Sequence, residues 1–133
     1  MLTTGCAAIA IGRGALLNPW FFAQLRRWEE TGDPGPAPGY EQRLAFMDRH
    51  FHLLVHQRGE RFASLTFRKV ANWYCKVLRP GRDIQQRLMR IESIAEFERI
   101  VSQLRERGAP HGWDESLCHE SSIAVPGGPI ERW

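Results

Sequence analysis

Cysteine is scarce in this chain: three residues, Cys6, Cys75 and Cys118, widely spaced and without a Cys-x-x-Cys pair. An odd, scattered set indicates neither a disulfide framework nor a zinc site. The reducing cytoplasm is therefore the expected compartment. No apolar run approaches the ~18 residues of a membrane helix, so no span is expected. The opening residues, Met1-Leu2-Thr3-Thr4-Gly5-Cys6, lack a basic segment followed by a long apolar stretch, which predicts no secretory signal. The chain is also short. Its 133 residues make one domain's worth, too few for a complete eight-stranded α/β barrel of ~250 residues. Strand signals are almost missing.

What is present suits a globular protein. Hydrophobic residues make up 43% and charged residues 25%, enough for a modest core and against full disorder. The net charge of +3 is unevenly spread. Residues 1–39 balance, residues 40–109 carry 14 Lys+Arg against 8 Asp+Glu, and residues 110–133 are acidic. The middle segment's cations are mostly Arg, whose planar fork suits phosphate. A polyanion is a possible partner, and a solvated helical surface is the plainer alternative.

Along the chain, Ala7-Ala8-Ile9-Ala10-Ile11 is a short apolar run between Gly5 and Gly12, the pattern of a strand buried on both faces. A lone strand cannot satisfy its own backbone groups, and no partner is evident, which hints at a larger whole. Asn18-Pro19 then reads as a helix cap with proline at the first helical position. A helix Trp20–Thr31 follows, stopped by Gly32. Residues 32–39 hold three prolines and three glycines and read as a linker.

Residues 40–109 read as a helical unit. Tyr40, Leu44, Met47, Phe51, Leu54 and Val55 recur at helical steps up to Gly59. Phe67, Val70, Ala71, Tyr74, Val77 and Leu78 form the face of a second helix, ending at Pro80-Gly81. Ile84, Leu88 and Ile91 mark a short third. Ser93-Ile94-Ala95-Glu96 is a capping-box signature opening a fourth, which Gly108 stops. Four amphipathic helices with short connections make a bundle. Residues 110–133 have no period and read as a flexible tail.

Two constellations could carry chemistry. Gly12-Arg13-Gly14, after the strand-like run, could hold a phosphate on backbone N–H groups with help from Arg13; a plain tight turn is the alternative. Arg68-Lys69, Trp73-Tyr74 and Lys76 place cations beside aromatics, with Lys69, Trp73 and Lys76 on one helical side. That pattern suits an RNA backbone with unstacked bases, and equally a core aromatic pair flanked by surface charges. His52 and His56 share a face, but no third ligand has suitable spacing, so no metal site is expected. Glu29 with Glu30, and Asp114 with Glu115, are sequence neighbours that diverge and form no acid/base pair.

The order of these motifs carries a resemblance. The run Thr4 to Phe22, with Gly12-Arg13-Gly14, Asn18-Pro19 and Trp20-Phe21-Phe22, resembles the last-strand segment of the tRNA-dihydrouridine synthases. Arg68-Lys69, Trp73-Tyr74-x-Lys76 and Arg87-Leu88-x-Arg90-Ile91-Glu92-Ser93 are similar to that family's C-terminal helical domain. The resemblance covers roughly residues 3–107. It implies an FMN-binding (β/α)8 barrel joined to a helical tRNA-binding domain. It also implies reduction of the uridine C5–C6 double bond in tRNA, with NADPH reducing the flavin and a barrel cysteine as general acid. Gly12 and Arg13 match the FMN-phosphate position, and Arg68, Lys69 and Lys76 match the basic tRNA-binding face.

Departures from the family pattern shape the expectation. The resemblance places the start of this chain near the end of the barrel's seventh helix, without the catalytic cysteine and most flavin contacts. Cys6 lies in the wrong segment to replace that cysteine. Val70 and Val77 stand where related sequences carry histidine and glycine. The expected fold is mainly α: a four-helix-bundle-like C-terminal domain, preceded by one β-strand and a helix left over from a truncated barrel. Its parts are residues 1–31 (barrel end), 32–39 (linker), 40–109 (tRNA-binding domain) and 110–133 (tail). The chain alone is expected to be inactive, to bind no FMN by itself, and to have tRNA as its partner, with no membrane and no metal. The alternative is a stand-alone RNA-binding module without catalysis.

Overall fold

The computed structural model describes residues 5, 7, 8, 10, 11, 15 and 18–114. Among these residues five α-helices are described, in order: α1 Phe21–Thr31, α2 Tyr40–Arg58, α3 Glu60–Leu78, α4 Arg82–Leu88 and α5 Ile94–Arg107. No strand occurs among the described residues. Of the strand expected over residues 7–11, the described Ala7, Ala8, Ala10 and Ile11 form none, and Ile9 lies outside the described residues. A strand needs a paired neighbour to satisfy its N–H and C=O groups, and the described chain offers none. The protein is thus mainly helical, with the bundle expected for its C-terminal part.

The chain divides between Pro36 and Ala37 into two units. In the first, α1 starts one residue later than expected. The Asn18 side-chain oxygen accepts from the Trp20 N–H at 3.2 Å, and its carbonyl accepts from the Phe21 N–H at 3.0 Å, so Asn18 ties the entry turn. Gly32, at φ 77°, closes the far end, its N–H donating to the Trp28 carbonyl at 2.7 Å. None of the α1 residues is buried; Phe22, Leu25 and Trp28 are exposed.

The second unit holds the core. Helix α2 pairs along α3 and also packs on α5, while α4 bridges α3 and α5. Gly59 alone joins α2 to α3, at φ 80° and ψ 165°, a conformation nearly restricted to glycine. Three phenylalanines, one from each of three helices, meet at the centre. The Phe51 and Phe97 rings stack at 4.0 Å, and Phe67 sets its edge against both, at 5.3 and 5.2 Å. All three are fully buried, with Leu44, Met47, Leu78, Ile84, Leu88, Ile91 and Ile100 around them. Burying one such side chain contributes roughly 1.5–3 kcal/mol, so this cluster organises the unit.

The ends of α5 agree with its sequence signals. The Ser93 hydroxyl accepts from the Glu96 N–H at 3.2 Å, the cap that the motif implies. The returning Glu96 carboxylate reaches the N–H of Glu92 rather than that of Ser93, at 3.2 Å. A second cap comes from afar: Glu60, the first residue of α3, accepts from the Ile94 N–H at 2.7 Å. Trp113 falls in the segment read as a tail. Its indole N–H instead donates to the Val77 carbonyl at 2.9 Å, and its ring meets Tyr40 edge-on at 5.6 Å. The reason is physical: a large apolar ring with one donor finds both surface and acceptor at the α2–α3 pair.

Candidate nucleic-acid interface

Helix α3 turns Ala63, Ser64, Phe67, Ala71, Cys75 and Leu78 into the core. The opposite side, by the 3.6-residue period, gathers Phe62, Leu65, Lys69 and Lys76, all exposed, with half-buried Trp73 beside them. Trp73 is partly sunk, and its indole N–H is buried without a hydrogen-bond partner. Phe62 lies beneath the Arg58 guanidinium, 4.8 Å from its centre. The expected juxtaposition of Lys69, Trp73 and Lys76 on one side of a helix therefore holds, with both lysines in solvent.

Arg68 stands apart from its neighbours. Its Nε donates to the Ile91 carbonyl at 2.9 Å, and its Nη2 to the Arg90 carbonyl at 3.2 Å and the Glu92 carboxylate at 3.3 Å. This guanidinium laces α3 to the loop between α4 and α5. Sequence gives no sign of that use, because the acceptors, two carbonyls and one carboxylate, lie more than twenty residues away.

The charge around α3 is one-sided. From Arg61 to Arg82 the chain carries six cations and no Asp or Glu. Apart from Arg68, these cations (Arg61, Lys69, Lys76, Arg79 and Arg82) are exposed and make no ion pair among the described residues. Two cations elsewhere in the bundle are paired: Arg105 meets Asp48 at 2.7 Å, and Arg87 lies 4.0 Å from Asp83 and donates to Gln103 at 2.8 Å. Unmatched surface cations beside exposed Phe62 and half-buried Trp73 form an attractive surface for a polyanion with accessible bases. Sequence reasoning overlooked Arg61, Phe62, Arg79 and Arg82; the missing acids between residues 61 and 82 were the available signal.

The remaining candidates resolve differently. His52 lies 3.3 Å from Asp48 and 3.9 Å from Glu98, while His50 turns inward. The His50 Nδ1 is 2.7 Å from the Tyr74 hydroxyl, and burial lowers the imidazole pKa from its usual value. Burial also drives the Tyr74 hydroxyl well above its ordinary range and pushes the Cys75 thiol up to about 12. Cys75 is thus an inert core residue. No group of three His, Cys, Asp or Glu that could hold a metal ion occurs among the described residues. No helix among them is long and apolar enough to cross a membrane. Gly12, Arg13 and Cys6 lie outside the described residues. A depression of about 570 Å³ is lined by Ala95, Glu98, Arg99, Ser102, Gln103 and Glu106, all from α5, so it is a surface hollow of a single helix.

Comparison with known proteins gives a consistent result. The dihydrouridine synthase (Dus) family matches residues 1–107. The chain is 34% identical over 105 residues to a probable tRNA-dihydrouridine synthase of Mycobacterium leprae, covering 78% of this chain and 27% of the relative. It is 33% identical over 105 residues to the corresponding Mycobacterium tuberculosis protein, with the same coverage. With tRNA-dihydrouridine synthase B of Pseudomonas putida it shares 28% identity over 90 residues, 68% of this chain and 27% of the relative. The chain spans about a quarter of the length of these relatives.

Proposed function

Because the chain belongs to the dihydrouridine synthase family, we propose that it supplies the tRNA-holding helical part of an enzyme that reduces uridine to 5,6-dihydrouridine in tRNA. The observation that carries this reading is the acid-free side of α3, where Lys69 and Lys76 flank Trp73 without ion-pair partners among the described residues. Lysines held in water at helical spacing neutralise successive phosphates and release counterions. An adjoining ring offers a face to an unstacked base. Arg68 supports this face from behind by fixing α3 to the loop at Ile91.

The reducing chemistry belongs to the whole enzyme. In this reading FMN, itself reduced by NADPH, supplies the hydride when bound. Gly12 and Arg13 are proposed as contacts to its phosphate. The remaining contacts and the general acid fall to the portion of the relatives that this chain does not span. The 133-residue chain by itself is therefore inactive, and NADPH-dependent dihydrouridine formation by the purified chain would refute that.

Titration of tRNA binding against salt tests the reading directly. Binding weakens as salt rises, and changing Lys69 and Lys76 together to alanine lowers the log–log salt slope by about two. Absent or salt-insensitive binding would sink the reading. Robust tRNA binding in cells by a 133-residue product would favour a stand-alone RNA-binding module instead.

A further inference from the structure

Among the described residues, four helices end on a residue in the positive-φ region. Three of those residues are glycines: Gly32 after α1, Gly59 after α2 and Gly108 after α5. The fourth, after α3, is Arg79, at φ 49° and ψ 53°. It is the only non-glycine residue with positive φ among the described residues. Its N–H donates to the Cys75 carbonyl at 2.9 Å, the same closing bond that Gly32 makes to Trp28 at 2.7 Å. A glycine would close α3 equally well and without the crowding that a Cβ meets in the left-handed region. Pro80 follows, and a proline pushes the residue before it towards extended backbone, which sharpens the conflict.

The Arg79 side chain does not repay this strain internally. It is exposed and has no hydrogen bond or ion pair among the described residues. Its charge does favour the C-terminal end of the α3 dipole, but a helix dipole acts only weakly at an exposed position. What distinguishes the position is its place in the row of unmatched cations. Lys76 precedes it by one helical turn, and Arg82 opens α4 just beyond Gly81.

We infer that Arg79 is a phosphate-binding residue of the RNA interface, extending it past the end of α3 through the Arg79-Pro80-Gly81-Arg82 turn. The inference rests on the RNA-binding reading above. Backbone strain of this kind clusters at functional positions such as ligand clamps. The side chain is exposed at the end of the helix, and its planar fork can grip two phosphate oxygens at once, which Lys69 and Lys76 cannot do.

Arg79→Gly in the full chain separates binding from stability, because glycine suits the backbone and removes only the side chain. The expected result is a melting temperature equal to or above that of the unchanged protein, tRNA binding several-fold weaker, and a salt slope lower by about one. Arg79→Lys, with the charge but not the fork, recovers part of the affinity. Arg99→Gln, on α5, serves as the control and binds like the unchanged protein. Unchanged affinity and slope in Arg79→Gly overturn the inference and leave the RNA-binding reading standing. A lowered melting temperature in Arg79→Gly overturns it in favour of a capping role. Equal weakening by Arg99→Gln overturns it in favour of a diffuse field. Failure of the unchanged protein to bind tRNA in a salt-dependent way removes the underlying reading itself.

Discussion

Arg68 and Lys69 are neighbours with opposite fates. One faces back towards the carbonyls of Ile91 and Arg90, the other stands in water. Residue type alone could not separate them, since the distinction depends on a loop more than twenty residues later. Lys69, Trp73 and Lys76 were legible because their relation is local, fixed by the helical period. Cys75 belongs to the same local pattern, since it repeats the inward spacing of Phe67, Ala71 and Leu78. Its burial yields a direct prediction. The thiolate is the reactive form, and a thiol pushed up to about 12 is almost wholly protonated near neutrality. Alkylation at Cys75 is expected to be far slower in the folded protein than in urea at about pH 8, read by peptide mass mapping. Equal rates in both states would contradict the buried position.

At the scale of the element, helix ends were easier to read than helix beginnings. Gly32, Gly59 and Gly108 each stop a helix where the sequence places a stop. The first two turns of α3 were missed because their inward residues, Ala63 and Ser64, are small, while the large Phe62 and Leu65 face outward. A search for a bulky periodic stripe therefore starts at Phe67. The apolar period carries Ile91 into the short third helix; it is fully buried, yet lies in the loop after α4 ends at Leu88. Burial kept the periodic spacing alive after the backbone had left the helix. The joint at Gly59 gives the prediction of this scale. No atom lies within 4 Å of a Cβ built there, so Gly59→Ala meets no clash and only the backbone cost applies. The variant is expected to lose about 1–3 kcal/mol, measured by urea unfolding. An unchanged midpoint would show that the α2–α3 joint does not require its left-handed geometry.

Across the whole molecule, stability and acidity are coupled through His50. It sits beside Phe67 and Tyr74, at ring distances of 6.1 and 5.9 Å, and burial holds it neutral. Its folded pKa is below the unfolded value of about 6.5, so the unfolded chain binds the proton more readily. Stability is therefore full above about pH 6.5 and falls as pH drops through that value towards the folded pKa, below which this contribution changes no further. The melting temperature is expected to rise between about pH 5.5 and 7, and His50→Gln is expected to flatten that rise. A slope unchanged in the variant would assign the effect to other groups. The general plan of a helical unit was legible in the sequence, because four amphipathic segments need one another to hide their apolar sides. The docking of Trp113 was not, since the Val77 carbonyl it uses is set by tertiary placement alone.

The meeting of Phe51, Phe67 and Phe97 bears on how the bundle is made as well as how it stands. Each ring comes from a different helix, and the stacked pair joins α2 to α5, the two most distant in sequence of the three. The hairpin of α2 and α3 can form early, yet it leaves two rings waiting in water until the last helix arrives. A nascent chain is therefore expected to complete its central packing only once α5 has left the ribosome.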